Sequence, residues 1–86
     1  MAYKNVTHKY RLLAMEDFAT KNLKIGEVFE LRDIVYHVNN YRNSSGKIHR
    51  FAQTNNGQMT SLLSTHDAFE KSGVKMWKFI GFSEEE

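Results

Sequence analysis

The sequence contains no cysteine, and in a chain of 86 residues this absence limits how a fold can be stabilised. Disulfides, thiolate-bound zinc and iron–sulfur clusters are excluded, so the fold must depend on apolar packing. Six phenylalanines, four tyrosines and one tryptophan supply large side chains for that packing. Because a chain of this length has room for one hydrophobic core, we expect a single globular domain.

The charge of the chain is mildly basic and unevenly distributed. The formal net charge is +2, but the acidic run at residues 84–86 lowers it from the +5 that the rest of the chain carries. We expect residues 83–86 to form a disordered acidic tail after a domain that spans residues 1–82. A basic domain of this kind favours a polyanionic partner such as nucleic acid.

No apolar run in the sequence approaches the length of about 18 residues that a membrane helix needs. The first ten residues, MAYKNVTHKY, contain neither the apolar segment nor the small-residue cleavage site of a secretory signal. We therefore expect a soluble, cytoplasmic protein that does not interact with membranes.

Two segments in the first half of the chain have the apolar spacing of amphipathic helices. Residues 7–22 predict a helix that is capped by Thr7 and packed on the core through Tyr10, Leu13 and Phe18. The apolar residues in LRDIVYHV predict a second helix from about residue 31 to residue 41. Between the two helices, the segment LKIGEVF predicts a short strand, either at the edge of a sheet or alone.

The third predicted helix has a clear start and two alternative ends. The helical stripe returns in GQMTSLL, directly after Asn56, which is a good N-cap. In one interpretation the helix continues to about residue 71 and ends at Gly73. In the other it stops near residue 64, and residues 67–71 form a strand that turns at residues 72–73.

The last apolar segment, residues 74–82, alternates in polarity and predicts a strand. Val74, Met76 and Ile80 lie on one face of it, and Trp77 and Phe79 lie on the other. The aromatic side chains either belong to the core or form a platform on which bases stack. The usual burial of tryptophan favours the core.

This order of elements resembles that of winged helix-turn-helix domains. The segment GEVFELRDIVYHV is similar to the short strand and second helix of these domains, and GQMTSLLSTHDAFEKSGVKMWKFIGF is similar to their recognition helix and wing. The residues that carry the second pattern are Leu62, Leu63, Phe69, Glu70, Gly73 and Trp77. The resemblance implies a small α+β domain of winged-helix type, with three helices, a short strand and a C-terminal β-hairpin.

The resemblance also implies that the protein binds duplex DNA, as a small transcriptional or replication regulator. The third helix would enter the major groove and the wing would contact phosphates. The residues that would lie on the exposed side of the helix or face base edges are Asn55, Asn56, Gln58, Thr60, Ser61, Ser64 and Thr65, and amide side chains suit adenine. The cations that would hold phosphates are Arg42, Lys47, Arg50, Lys71, Lys75 and Lys78.

The sequence differs from the simplest helix-turn-helix units in two respects. No lysine or arginine occurs between Arg50 and Lys71, so the third helix is almost neutral. The connection that precedes it, residues 42–56, is longer than a tight turn. A single module of this kind also makes a DNA interface of only about 600 to 1,000 Å², so a homodimer would bind more strongly.

A different class of function remains open on the same scaffold. The neutral third helix, together with Met59 and Met76, would suit a protein groove, so the alternative is a protein-interaction module or a small inhibitor of a partner enzyme. The polar run QTNNGQMTS likewise has two interpretations, a solvated helix cap or a surface that contacts bases.

No catalytic or metal-binding motif appears in the sequence. The histidines at positions 8, 37, 49 and 66 lack the spacing of a metal site and are expected to be scattered surface or half-buried imidazoles. The GxSxG, P-loop and GxGxxG motifs are also missing. We therefore expect neither an enzymatic activity nor a cofactor.

Overall fold

The computed structural model describes residues 2–42, 46–48 and 53–82 of the chain. Within these ranges the chain forms three helices and three strands. Their bounds are α1 Ala2–Asn22, β1 Val28–Glu30, α2 Leu31–Asn39, α3 Asn56–Thr65, β2 Phe69–Gly73 and β3 Met76–Phe79. The predicted fold class, a small α+β domain with three helices, a short strand and a C-terminal β-hairpin, is confirmed. The predicted acidic tail, residues 83–86, lies outside the described residues.

The strands of the described chain form one antiparallel sheet in the order β1-β3-β2. The central strand is β3, in which Trp77 lies opposite Phe29 of β1 and Phe79 lies opposite Phe69 of β2. The first strand is therefore at an edge, as the sequence allows, but it is shorter than LKIGEVF and begins only at Val28. This arrangement is compatible with a winged-helix-like domain.

The hydrophobic core joins the three helices to one face of the sheet. Aromatic rings dominate its sheet side, where Phe29 meets Phe18 edge-to-face at 5.4 Å and Phe69 at 5.8 Å between ring centroids. Trp77 is only 3% exposed, so the interpretation that it belongs to the core is confirmed. Phe82 remains 38% exposed at the margin.

Helix α1 begins earlier than predicted and buries a shifted stripe. It starts at Ala2, so Thr7 is inside the helix and is not its N-cap, because no proline or glycine interrupts the residues before it. Tyr10 and Phe18 are buried as predicted. Leu13 is 57% exposed, so its predicted place in the core is wrong. The buried stripe runs instead along the flank that carries Met15.

Helix α2 packs on the core through Leu31, Ile34 and Val38, which are all buried. It ends at Asn39, before the predicted end at residue 41. The side-chain amide of Asn40 donates to the Tyr36 carbonyl oxygen at 2.8 Å. Asparagine side chains compete in this way with the backbone for hydrogen bonds, so they favour helix ends.

Helix α3 begins with a capping box, and its N-cap is Asn55 rather than the predicted Asn56. The Asn55 Oδ1 accepts from the Gln58 backbone N–H at 2.8 Å, and the Gln58 Oε1 accepts from the Asn55 N–H at 3.2 Å. Both residues could cap a helix, but only Asn55 has an amide-bearing residue three positions later. The boundary is therefore set by the pair.

The end of α3 decides between the two sequence interpretations, and the second one is correct. The helix stops at Thr65, and His66 adopts an extended conformation. The Thr65 hydroxyl donates to the carbonyl oxygens of Ser61 and Leu62, which satisfies acceptors of the last turn. Strand β2 follows, and it brings Phe69 into the core.

The turn between β2 and β3 lies farther along the chain than predicted. It consists of Val74 and Lys75, and not of Ser72 and Gly73, because an irregularity between Lys71 and Gly73 shifts the register and pairs Gly73 with Met76. Lys75 adopts a left-handed conformation with φ of 56°. Strand β3 is accordingly shorter than the predicted residues 74–82.

Candidate nucleic-acid interface

The outer side of α3 is uncharged and polar. Met59 and Leu63 turn inward and are fully buried, and Leu62 packs partly against the core, so the polar positions make up the outer side. Among the residues predicted to face bases, Asn56, Gln58 and Ser61 are exposed, whereas Thr60 is only half-exposed. Other exposed positions on the helix are Ser64 and Thr65. The structure thus exposes most of the predicted base-facing residues, with Gln58 and Ser61 on the side opposite Met59 and Leu63 and Asn56 at the N-terminal end of the helix.

Several polar groups on α3 already have partners within the helix. The carbonyl oxygen of the Gln58 side chain is used in the capping box, and the Ser64 hydroxyl donates to the Ser61 carbonyl oxygen at 3.0 Å. Within the described part of the chain, the side-chain groups without a hydrogen bond include the carboxamide of Asn56, the Nε2 of Gln58 and the hydroxyl of Ser61. These three groups are the best placed to accept or donate to a ligand.

The lysines of the hairpin lie on different faces of it. Lys71 is opposite Trp77 in the β2–β3 register, and Lys78 is opposite Glu70. Because neighbouring positions on a strand point to opposite faces, Lys71 and Lys78 point to opposite sides of the sheet. Lys75 lies at the turn between them. None of the three lysines has a carboxylate within ion-pair distance among the described residues.

The turn of the hairpin is attached to the start of α2. The Lys75 carbonyl oxygen accepts from the Leu31 backbone N–H at 2.9 Å, which satisfies a donor of the first helical turn. Val74, at the tip, is 87% exposed. The predicted wing therefore exists as a short hairpin that extends little beyond the sheet, and its position relative to α2 is defined by this hydrogen bond.

The predicted cations before α3 lie on its connection to α2. Arg42 and Lys47 are exposed, and Arg42 forms an isolated antiparallel bridge with Ile48. The Arg42 guanidinium donates to the Gly46 carbonyl oxygen at 2.9 Å. Arg50, the third predicted cation of this region, lies outside the described residues.

The two ends of this long connection are joined by the side chain of Asn39, the last residue of α2. Its Nδ2 donates to the Thr54 carbonyl oxygen at 2.9 Å, and its Oδ1 accepts from the Thr54 backbone N–H at 2.7 Å. The Gln53 side-chain amide in turn donates to the Asn39 carbonyl oxygen at 2.9 Å. We call this set of contacts the Asn39 clasp. It positions the start of α3 beside the end of α2, although the intervening chain is long.

Two features of this region were not predicted from the sequence. The Asn39 clasp has no signature in the sequence, whereas a stretch without acidic residues is visible in it. Asn39 belongs to a polar run that looks like an ordinary turn, and its partner is 15 positions away. By contrast, no aspartate or glutamate occurs between Asp33 and Asp67. This acid-free stretch coincides with most of α2, its connection and the whole of α3, so no carboxylate of this stretch repels a polyanion from the surface.

Two histidines that were expected to be half-buried are paired with carboxylates of α1. The His37 Nε2 donates to Asp17 at 2.9 Å, and the His66 Nε2 lies 3.3 Å from a Glu16 oxygen. The His66 Nδ1 accepts from the Ala68 backbone N–H, so its other nitrogen carries the hydrogen that faces Glu16. The pairs connect α1 to α2 and to the α3–β2 connection. Among the described residues, no group of three such side chains could hold a metal ion.

Asp17 has a perturbed acidity. Partial burial raises the pKa of its carboxyl group, but the hydrogen bonds from His37 and Lys21 lower the pKa by more than burial raises it. The pKa of Asp17 therefore lies below its ordinary value. A lowered pKa in the folded state means that the ionised form stabilises the fold. This contribution is present above the unfolded-state pKa of about 4 and is lost as the pH falls through the lower folded-state value.

We expect Asp17→Asn to reduce the free energy of unfolding at pH 7 by about 1 kcal/mol, because it removes charge-assisted hydrogen bonds from a partly buried site. The difference from the unmodified protein should begin to shrink as the pH falls below the unfolded-state pKa of about 4. It should disappear once Asp17 is also protonated in the folded state. Urea unfolding at several pH values measures both effects. Asp67→Asn, at an exposed position, is the matched control, and an equal loss in both variants would contradict the assigned role of Asp17.

A surface cleft of about 520 Å³ separates α1 from the α3–β2 connection. His66 and Glu16 lie in its wall, together with Leu12 and Phe82. Among the residues predicted to contact DNA, Thr65 at the end of α3 lines this cleft. The cleft therefore meets the candidate interface at the end of α3, whereas Asn56, Gln58 and Ser61 do not line it.

Comparison with known proteins adds no relative to this description. In the part of the chain that the structure describes, no helix combines the length and the hydropathy needed to cross a membrane. No protein family, curated protein or solved structure matches this chain.

Proposed function

We propose that this protein is a small cytoplasmic protein that binds duplex DNA through α3 and the β2–β3 hairpin, as a transcriptional or replication regulator. The observation that carries the proposal is the charge pattern around α3. The helix exposes an uncharged polar side, it belongs to a stretch without a single carboxylate, and exposed cations precede and follow it in the chain. Such a surface attracts phosphates on both flanks and leaves the helix free to approach the bases.

The side chains have distinct roles in this proposal. Lys71 and Lys75 contact phosphates from the hairpin, since neither is engaged with a carboxylate of the described chain. The Asn56 amide and the Gln58 Nε2 lie at the start of α3, which is the part of a recognition helix that contacts base edges. Ser61 contributes a hydroxyl one turn later. Because so few groups remain for base contact, most of the affinity comes from the phosphates.

The experiment that tests the proposal is a fluorescence-anisotropy titration of a labelled mixed-sequence duplex at about 50 and about 200 mM salt. If about six cations contact phosphates, the affinity should fall by about a thousandfold between these conditions. Absence of binding at the lower salt concentration, or an affinity that is the same at both, would contradict the proposal. A single-stranded oligonucleotide of the same sequence serves as the control for duplex preference.

A protein-interaction function is the second candidate, and one observation favours it. Ile25 is 76% exposed, and Val28 and Ile80 are 41% and 44% exposed where β1 begins and β3 ends. Apolar side chains grouped on a surface are typical of protein-binding sites. Binding through such anchors depends little on salt, so the same titration separates the two candidates: an apolar interface gives no steep salt dependence and no duplex binding.

A further inference from the structure

The connection between α2 and α3 leaves the domain and returns to it at adjacent points. The Asn39 clasp bonds both backbone groups of Thr54, and Thr54 is only 8% exposed. Buried backbone groups that are bonded in both directions resist opening, because separating them leaves donors and acceptors without partners. The position of α3 against α2 is therefore set at the clasp, and we call the chain between residues 40 and 52 the insertion.

The insertion is also attached to α1 at its base. The Tyr10 hydroxyl donates to the Tyr41 carbonyl oxygen, and the two rings meet edge-to-face at 5.4 Å between centroids. The Arg11 guanidinium donates to the Gln53 carbonyl oxygen at 3.0 Å, at the other end of the insertion. The residues at the two ends of the insertion, Tyr41 and Gln53, are thus both bonded to α1.

Beyond this base, the described residues of the insertion form part of a small hairpin, which we call the turn arm and define as Arg42 and residues 46–48. Arg42 pairs with Ile48 across the hairpin, and Gly46 adopts the left-handed conformation, with φ of 79°, that a tight reversal uses. All these residues are exposed. The arm consequently presents its side chains to solvent and not to the core.

The chemistry of the turn arm suits a phosphate. The hydrogen bond from Arg42 to Gly46 orients the guanidinium and leaves its other N–H groups available, and a planar guanidinium binds phosphate oxygens in pairs. Lys47 adds a second positive charge. Asp17 lines the same cleft as Arg42, but its oxygens are bonded to Lys21 at 3.2 Å and to His37 at 2.9 Å. The arm itself lies in the acid-free stretch between Asp33 and Asp67, which contributes no carboxylate.

We propose that the turn arm is a second phosphate-binding element, inserted into the turn of a helix-turn-helix unit, and that it holds the duplex backbone independently of the β2–β3 hairpin. The proposal rests on the proposed function. It explains how a neutral α3 obtains charge on the side that precedes it in the chain. The duplex is then contacted by two short hairpins, one before α3 and one after it, with the helix between them.

The test removes the charge of the arm without reversing it. We expect Arg42→Gln combined with Lys47→Gln to make the slope of log affinity against log salt shallower by about 2, since each lost phosphate contact contributes about 0.9. The affinity at about 50 mM salt should fall at least about tenfold. The melting temperature should change by no more than about 3 °C, because both side chains are exposed and the clasp is intact. Lys47→Gln alone, which leaves the Arg42–Gly46 bond in place, should reduce the slope by about 1.

The matched control is Lys9→Gln combined with Lys24→Gln, which changes the net charge equally at exposed positions on α1 and its connection to β1. An equal loss of slope in the control, or an unchanged slope in the arm variant, would overturn the proposal for the arm. Both results leave the proposed function in place if the unmodified protein binds with a steep salt dependence. If the unmodified protein does not bind the duplex at all, the proposed function itself fails.

Discussion

The substitution Trp77→Ala is expected to leave little folded protein at room temperature. Trp77 lies on the central strand, opposite Phe29 of β1, and is only 3% exposed. Replacing a buried tryptophan by alanine costs about 3 to 5 kcal/mol. A domain of this size, without disulfides or metal, is stable by only about 5 kcal/mol, so the loss removes most of its stability. The effect is large because both edge strands depend on β3.

Far-UV circular dichroism during urea unfolding measures this effect, since the variant lacks the only tryptophan and cannot be followed by its fluorescence. Trp77→Phe keeps an aromatic ring and should cost less than half as much. Val74→Ala changes a side chain that is 87% exposed and should be close to neutral. A cooperative transition for Trp77→Ala at the midpoint of the unmodified protein would show that Trp77 does not hold the sheet together.

The second large effect is expected for DNA binding when the charge of the hairpin is reversed. Lys71→Glu combined with Lys75→Glu should weaken duplex binding at about 50 mM salt by at least about a hundredfold, because two attractions to phosphate become repulsions. Lys78 is left unchanged on purpose. It lies opposite Glu70, and a glutamate there would place like charges directly across the strands and destabilise the sheet.

Anisotropy titrations of this variant need two controls. Lys9→Glu combined with Lys24→Glu makes the same change in net charge away from the hairpin and should weaken binding much less. Lys75→Gly removes one charge while it suits the left-handed conformation of the turn, so a loss of affinity in this variant cannot come from strain. If the hairpin variant binds as tightly as the control variant, the hairpin does not contact the duplex.

Local patterns in the sequence predict most of the secondary structure and part of the core. The spacing of Leu31, Ile34 and Val38 is enough to identify α2 and its buried face. The alternation around Trp77 is enough to identify β3 and the side that enters the core. These predictions succeed because the periodicity of a helix or a strand is a property of residues close together in the chain.

The predicted ends of the elements are less accurate, for reasons that differ from case to case. Thr7 is an acceptable N-cap that the helix simply runs through. Asn55 and Asn56 are equally good caps until Gln58 selects the first by a reciprocal hydrogen bond. The turn at Lys75 follows from the pairing of β2 with β3, which continues through the predicted turn residues as far as Gly73. The last two boundaries thus depend on hydrogen bonds that the apolar pattern does not reveal.

Some parts of the candidate interface could likewise be predicted from local patterns, and others depend on the tertiary structure. The exposed positions of Gln58 and Ser61 follow from the helical stripe that buries Met59 and Leu63, so the sequence was sufficient to place them. Asn56 lies on the same stripe as Met59 and is exposed because it is the first residue of the helix. The opposite directions of Lys71 and Lys78 depend on the register of the hairpin. The sequence also contained the acid-free stretch, which is the strongest indication of where a polyanion could approach.

By itself, the sequence determined that this protein has one core, three helices and a last strand, because apolar periodicity and the lack of cysteine leave few alternatives. The structure decided that Phe69–Gly73 pair with this strand in a hairpin. Only the tertiary structure decided how α3 is positioned. The Asn39–Thr54 hydrogen bonds join residues that are 15 positions apart, and they require α2 and α3 to be packed side by side. A polar residue without periodicity has no preferred partner until the fold brings one within reach, so the long connection could not be recognised from the sequence as an insertion into a closed turn.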